Sequence, residues 1–170
     1  MLLTLKVATV FLASIAMALS MAHALELPGK LRLDKQAYLT VQPIYYPGFT
    51  VAGFSEILGI LATGALLFMT STSGWVAFSL TIGALIALIA MHAAYWIITH
   101  PVNNFWLKDR NLKGAGAGFF AFGATQGFDS NGTPSDEGWK GLRNRWEFSH
   151  VLRAILAAIA LILLTIAVVS

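Results

Sequence analysis

The sequence predicts an all-α integral membrane protein built as a four-helix bundle, and three observations carry that prediction. Of its 170 residues 57% are hydrophobic and only 11% are charged, whereas a soluble domain carries about 25% charged residues. Four apolar stretches of roughly 20 residues are each long enough to cross the hydrocarbon core as a helix. Polar segments with prolines and glycines separate these stretches. The length favours one membrane domain covering residues 1–170.

The first two spans are predicted at residues 4–25 and 50–70. Ala22-His23-Ala24 has the form of a signal-peptidase site, so a cleaved signal and a retained helix compete; we expect a retained helix, since the segment is present in the chain. Pro28-Gly29 is expected to break it. The second span contains a single charge, Glu56.

The third and fourth spans are predicted at residues 75–99 and 148–169. His100-Pro101 is expected to end or kink the third helix, because proline has no N–H to donate to the preceding turn. The loop before the fourth span includes a Gly-Ala-Phe stretch at 114–127, to which no role is assigned.

Charge distribution predicts the orientation. In a four-span bundle the loops 26–49 and 100–147 share one side, and every Lys and Arg except Lys6 belongs to them or to an adjacent helix end. By the positive-inside rule these loops are cytoplasmic and both termini are non-cytoplasmic. A bacterial inner (plasma) membrane is the expected location. The net charge of +3 fits anionic lipid, so the bilayer rather than nucleic acid is the expected partner.

Aromatic residues of the first loop are interpreted as an interfacial belt at the membrane surface. They are Tyr38, Tyr45, Tyr46 and Phe49.

A polar cluster is predicted in the cytoplasmic half of the bundle. It contains all four histidines and three glutamates near the spans, and the outer half contains none: His23, Glu26, Glu56, His92, His100, Glu147 and His150. Ionisable residues inside a membrane usually mark a functional site. The cluster therefore predicts a site, for which three chemistries compete.

The first chemistry is a metal site. Glu147-x-x-His150 has the spacing that di-iron four-helix bundles use, and His23-x-x-Glu26 is its reverse. Glu56 and His92 complete a set of oxygen and nitrogen donors suited to iron or copper.

The second chemistry is a metal-free pocket for an anionic or quinoid aromatic compound. Arg143 and Arg153 would hold the anion, His150 or His100 would move a proton, and tryptophans would stack on the ring. The third is bis-histidine haem, with His92 opposite His23 or His150. Three residues of the third helix are the candidates for cofactor binding: His92, Tyr95 and Trp96.

Simpler interpretations exist for the same residues. Arginines at a helix end bind lipid phosphates or extend to the membrane surface, and this interpretation fits Lys140 and Arg145 best. Glu56 and His92 could form a purely structural pair.

Three motifs together resemble the anthrone oxygenase-like integral membrane family: His100-Pro101-Val102-Asn103, Trp139-x-x-Leu142-Arg143-x-x-Trp146, and His150-x-x-Arg153. The resemblance implies a four-helix membrane fold, and the fungal members that give the family its name oxidise anthrones to anthraquinones with dioxygen.

Together these observations predict a membrane oxidoreductase or oxygenase acting on a lipophilic aromatic or quinone-like compound. His150 or His100 would act as base, Arg143 and Arg153 would stabilise an enolate-like anion, and Asn103 would donate a hydrogen bond. The predicted catalytic set is His100, Asn103, Arg143, Trp146, His150 and Arg153. The alternatives are a non-catalytic accessory subunit of a larger membrane complex, a metal- or haem-binding membrane protein, and assembly as a homo-oligomer.

Overall fold

The computed structural model describes residues 1–45, 48–70, 74–106 and 138–170, and these residues form helices and short connections without a β-strand. The all-α prediction is confirmed for this part of the chain. Tyr46 and the 114–127 stretch lie outside it. The elements are α1 (Leu2–Lys30), α2 (Lys35–Val41), a 3₁₀ turn (Gln42–Tyr45), α3 (Thr50–Met69), α4 (Trp75–Ala94), a π-helical turn (Tyr95–Thr99), α5 (His100–Trp106) and α6 (Gly138–Val169).

Within the described ranges, four helical stretches are long and apolar enough to cross a membrane: Leu2–Lys30, Thr50–Met69, Trp75–Asn103 and Gly138–Val169. They indicate an integral membrane protein. α1 and α4 each pack against both α3 and α6, so the four helices close into a ring. The Lys6 ammonium, near the start of α1, donates to the carbonyl of Val168, near the end of α6, at 2.9 Å. This contact fixes α1 and α6 as antiparallel neighbours.

The helices at one end of the bundle extend beyond the predicted spans. Pro28 lies inside α1, which ends at Lys30, so the predicted break at Pro28-Gly29 was placed too early. α6 begins at Gly138. Its polar first turns are therefore helical, whereas the sequence predicts a loop up to residue 147. Hydropathy marks where a helix can leave the bilayer, whereas backbone hydrogen bonding continues until the helix meets a stop signal. α2 also lies in the predicted loop, with the Asp34 carboxylate accepting from the backbone N–H of Ala37 at 2.8 Å.

The kink expected at His100-Pro101 takes the form of the π-helical turn. The backbone N–H of His100 donates to the carbonyl of Tyr95. Pro101 has no N–H for the carbonyl of Ile97, four residues before it. The Arg145 guanidinium donates to that carbonyl at 2.9 Å. Arg145, predicted to be a lipid anchor, therefore has a protein partner that compensates for the proline.

The core at the opposite end of the bundle is made of small and branched apolar side chains. Alanines let the helix backbones approach closely, and leucines fill the remaining space. The buried members are Ala13, Leu66, Ala84, Ala87, Leu88, Ala160 and Leu164.

Candidate functional site

A cavity lies between α1, the 3₁₀ turn, the start of α3, the π-helical turn and α6. The space that the centres of water molecules can occupy in it is about 30 Å³. The total space not filled by protein atoms, which includes the opening to the outside, is about 400 Å³. The smaller volume holds one or two water molecules. Four aromatic side chains contribute to the walls: Tyr45, Phe49, Tyr95 and Trp146. The cavity therefore offers flat apolar surfaces on several sides.

Two buried histidines, His23 on α1 and His150 on α6, contact each other in this wall. Their ring centroids are 4.1 Å apart, with 35° between the ring planes. Trp146 packs on His150 at 4.0 Å, while Tyr45 and Phe49 pack on His23 at 4.4 and 4.3 Å. Both histidines are only 4% exposed. The surrounding rings fix the position of each imidazole, as a preorganised site requires.

Four polar atoms without a hydrogen-bond partner among the described residues belong to side chains that line this one cavity. They are Ser20 Oγ, His23 Nδ1, His150 Nε2 and Arg153 Nε. Each such buried group costs about 1–3 kcal/mol if it stays unpaired. Because the residues that carry these atoms share one cavity, we expect the atoms to meet water or a polar ligand there once the walls separate.

The proton position on His150 follows from its neighbour. An Arg153 Nη1 atom lies 3.4 Å from His150 Nδ1. A guanidinium can only donate, so Nδ1 accepts, and the neutral ring carries its hydrogen on Nε2, the atom without a partner. His150 is thus arranged to donate to a ligand, which differs from the role of base that the sequence predicts.

Arg153 also forms a buried ion pair with Glu56 on α3. The second Glu56 oxygen lies 3.2 Å from His92 Nδ1, and Trp96 Nε1 donates to His92 Nε2 at 2.9 Å. Because Nε2 accepts from the indole, Nδ1 carries the hydrogen and donates to Glu56. Both nitrogens of His92 are engaged, so His92 is available neither to a metal nor to haem.

A second ionic cluster lies beyond Tyr45 and Trp146. The buried Lys30 ammonium is 2.9 Å from Glu26 Oε2 and 3.7 Å from Glu147 Oε1. It also lies over the Tyr45 and Trp146 rings, at 4.6 and 4.8 Å from their centroids. Sequence reasoning treated Lys30 only as a loop charge. The spacing of Glu26 and Lys30, four residues apart on one helix face, is the signal that could have identified the pair.

Two tyrosines bind the carboxylates of this cluster. Tyr38 donates to Glu147 at 2.8 Å and Tyr45 donates to Glu26 at 2.6 Å. Burial and the adjacent carboxylates raise the pKa of both phenols. Tyr38 is fully buried and Tyr45 is 6% exposed. The interfacial-belt interpretation is therefore wrong for these two residues, whose hydroxyls face protein.

Asn103 and Trp146, both predicted site residues, are tied to each other. Trp146 Nε1 donates to Asn103 Oδ1 at 2.8 Å, and Asn103 Nδ2 donates to the Tyr95 hydroxyl at 3.4 Å. Asn103 thus positions Trp146 and Tyr95 on the cavity wall. In the same region Thr99 and Ser149 share a hydrogen bond of 2.8 Å, which joins the π-helical turn to α6.

Two predicted catalytic residues do not reach the cavity. Arg143 lies over the Trp139 ring at 5.1 Å and donates to the side chain of Asn144. At 1.5 Å per residue it is about 15 Å along α6 from Arg153, so sharing a helix face did not bring the two together. His100 packs against Trp96 at 4.8 Å. We correct both assignments: neither residue contacts the cavity.

The predicted metal site is not supported. Within the described part of the chain, no three His, Cys, Asp or Glu side chains are gathered in a way that could hold a metal ion. Glu26 and Glu147 are paired with Lys30, Glu56 is paired with Arg153, and His23 and His150 stack on each other. The predicted donors are therefore engaged by cations or by each other. Iron, copper and haem do not fit these residues.

No family model, curated protein or solved structure matches the chain. The resemblance to the anthrone oxygenase-like family accordingly stays an expectation carried by its motifs.

Proposed function

We propose that the protein is a membrane oxidoreductase that binds a lipophilic aromatic compound of the anthrone or quinol class in this cavity and promotes its oxidation by dioxygen. One observation carries the proposal: a single cavity combines four aromatic walls with unpaired polar atoms of Ser20, His23, His150 and Arg153. Flat apolar surfaces with a few convergent polar groups are typical of small-molecule sites. The motif resemblance supports the same substrate class.

The proposed role of each residue follows from whether it can accept or donate a hydrogen. His23 takes a proton from the substrate, since its Nδ1 has no partner and a neutral imidazole nitrogen can accept. His150 donates through Nε2–H, and Arg153 adds a fixed positive charge. These donors stabilise the oxyanion as it develops, which is the usual large electrostatic contribution to such reactions.

The oxidation balances with dioxygen as the only co-reactant. For an anthrone, loss of one C–H proton leaves an enolate-like anion whose electrons pass to dioxygen as a C–O bond forms. The resulting peroxide anion takes up a proton to become a hydroperoxide. Its remaining C–H proton is then lost as the O–O bond breaks and hydroxide leaves, so that water and an anthraquinone are formed. The aromatic walls hold the ring system. The space that the centres of water molecules can reach is only about 30 Å³, enough for one or two water molecules, so the walls must separate to admit the substrate.

The orientation in the membrane belongs to the same proposal. The distribution of Lys and Arg supports a cytoplasmic position for the end of the bundle that holds the cavity, with both termini on the other side. A bacterial inner membrane is the proposed location, and the bilayer would supply the lipophilic substrate.

The test is turnover of anthrone by the purified protein in lipid nanodiscs, followed by dioxygen uptake and anthraquinone absorbance. We expect His23→Gln and His150→Gln each to lower the rate by about 100-fold, the contribution typical of a positioned acid or base. His100→Gln is the matched control, because His100 is 7% exposed but lies outside the cavity lining, and it should keep the wild-type rate. No acceleration by the wild type, or an unchanged His150→Gln rate, would contradict the proposal.

A non-catalytic accessory subunit is the second candidate, and one surface favours it. Four isoleucines at helical spacing lie exposed along α6: Ile155, Ile159, Ile162 and Ile166. Such a stripe suits lipid, a partner helix or a second copy of the chain. Solubilisation in a mild detergent followed by size analysis distinguishes these cases, since a subunit would co-purify with its complex.

A further inference from the structure

One carboxylate links the cavity to the protein surface. Glu26 Oε2 lies 4.0 Å from His23 Nδ1, the unpaired nitrogen of the buried pair. The Glu26 side chain is 43% exposed, whereas that of His23 is 5% exposed. Glu26 also lines an open surface groove of about 640 Å³, and Tyr45 lines both this groove and the cavity. Tyr45 and Glu26 thus stand between the buried imidazole and water.

We propose that Glu26 is the proton exit of the cavity. His23 Nδ1 gains a proton as the O–H or C–H bond of the ligand breaks. That N–H bond then breaks as an O–H bond forms on Glu26, and Glu26 passes the proton to water in the groove. At 4.0 Å the middle step requires one bridging water or a small approach of the side chains. The inference rests on the proposed function, whose first step supplies the proton and whose peroxide protonation takes one back by the same route.

Two polar groups adjoin the Glu26 carboxylate. Its Oε2 lies 2.9 Å from the Lys30 ammonium and accepts from the Tyr45 hydroxyl at 2.6 Å. The other charges near it are Glu147, on the far side of Lys30, and Arg32, which lines the groove.

The two carboxylates that are buried among the described residues do not offer such a path. Glu147 is 2% exposed and lines neither space, and Glu56 is 1% exposed and held by Arg153 and His92. Among the described residues, Glu26 is the carboxylate that combines proximity to His23 with contact to the groove.

The experiment separates ionisation of a ligand from release of its proton. The full-length protein in unbuffered nanodiscs is mixed, without dioxygen, with a lipophilic nitrophenol whose phenolate absorbs visible light. A pH indicator in the bulk water reports the released proton. In the wild type both signals should rise together. In Glu26→Gln we expect the phenolate signal to persist and the indicator signal to slow by about 100-fold.

Two further variants test whether the effect is specific to the Glu26 carboxylate. Glu147→Gln removes the same charge beside Lys30 and should leave release unchanged. Glu26→Ala with added formate should recover fast release, which a merely structural role of Glu26 would not produce.

The outcomes separate the two claims. Wild-type release in Glu26→Gln, with phenolate formed, would overturn the proton exit and leave the proposed function standing. An absence of phenolate in the wild type would overturn both claims.

Discussion

The two ends of the bundle satisfy their polar side chains in different ways. At the apolar end the buried threonines Thr9, Thr63 and Thr81 each donate to a carbonyl of their own helix. At the cavity end the bonds cross between helices, as in Arg153 to Glu56 and Trp146 to Asn103. The first end needs only shape complementarity between helices. The second end needs particular hydrogen-bond partners. If one partner is lost, the remaining polar group is left unpaired in an apolar interior.

This contrast explains where a site can form. A threonine that donates to a carbonyl of its own helix has used its one donor and can only accept from a ligand. Side chains such as His150 and Arg153 use only part of their hydrogen-bonding capacity on protein partners. Folding of the cavity end therefore requires burying more polar groups, and this end keeps hydrogen-bonding groups that a ligand can use. Three predictions test the contrast, from the largest expected effect to the smallest.

Removing the Arg153 cation should have the largest effect on stability. Arg153→Met leaves Glu56 buried without its charged partner, and we expect the free energy of unfolding to fall by about 3–5 kcal/mol. Denaturant unfolding in mixed micelles measures it. Lys6→Met, which removes a part-buried cation at the apolar end, is the control, and the double variant Glu56→Gln/Arg153→Met should regain part of the loss. Equal losses of stability in Arg153→Met and Lys6→Met would contradict the difference between the two ends.

Alkaline pH should destabilise the cavity end through Tyr38. Burial and Glu147 raise the pKa of this phenol in the folded protein, while the unfolded phenol ionises near pH 10. The folded state then binds more protons than the unfolded state, so stability is present below about pH 10 and is lost as pH rises. The slope is about 1.4 kcal/mol per pH unit for one phenol.

Unfolding followed from pH 9 to 11 measures this slope. Tyr38→Phe should make it shallower, and an unchanged slope in that variant would count against the assignment to Tyr38.

The smallest effect should come from threonine at the apolar end. Thr63→Val removes only a bond to the carbonyl of Gly59 in the same helix, and we expect a change of less than about 0.6 kcal/mol, the average for polar contacts in a membrane bundle. Thr99→Val removes the bond to Ser149 across helices and should cost about 1 kcal/mol. The same unfolding assay compares them, and a larger loss for Thr63→Val would reverse the expected order.

Part of the site could be predicted from sequence and part could not. Placing His23, Glu56, His92 and His150 at one end required only helix directions and a constant rise per residue. Pairing them required knowledge of which faces meet. A helical projection put Arg143 on the same face as Arg153, but it contained no information about where along α6 the neighbouring helices end.

The sequence by itself determined the fold class, the four apolar helices and the end of the bundle that holds the charges. These follow from hydropathy, helix length and the high cost of a polar group in lipid, which act on each segment separately. Only the tertiary structure decided that Glu56 belongs to Arg153, that Lys30 and Tyr38 are buried, and that His23 faces His150. The physical reason is that hydrogen bonds and ring contacts depend on ångström-scale distances between helices, which no single helix encodes.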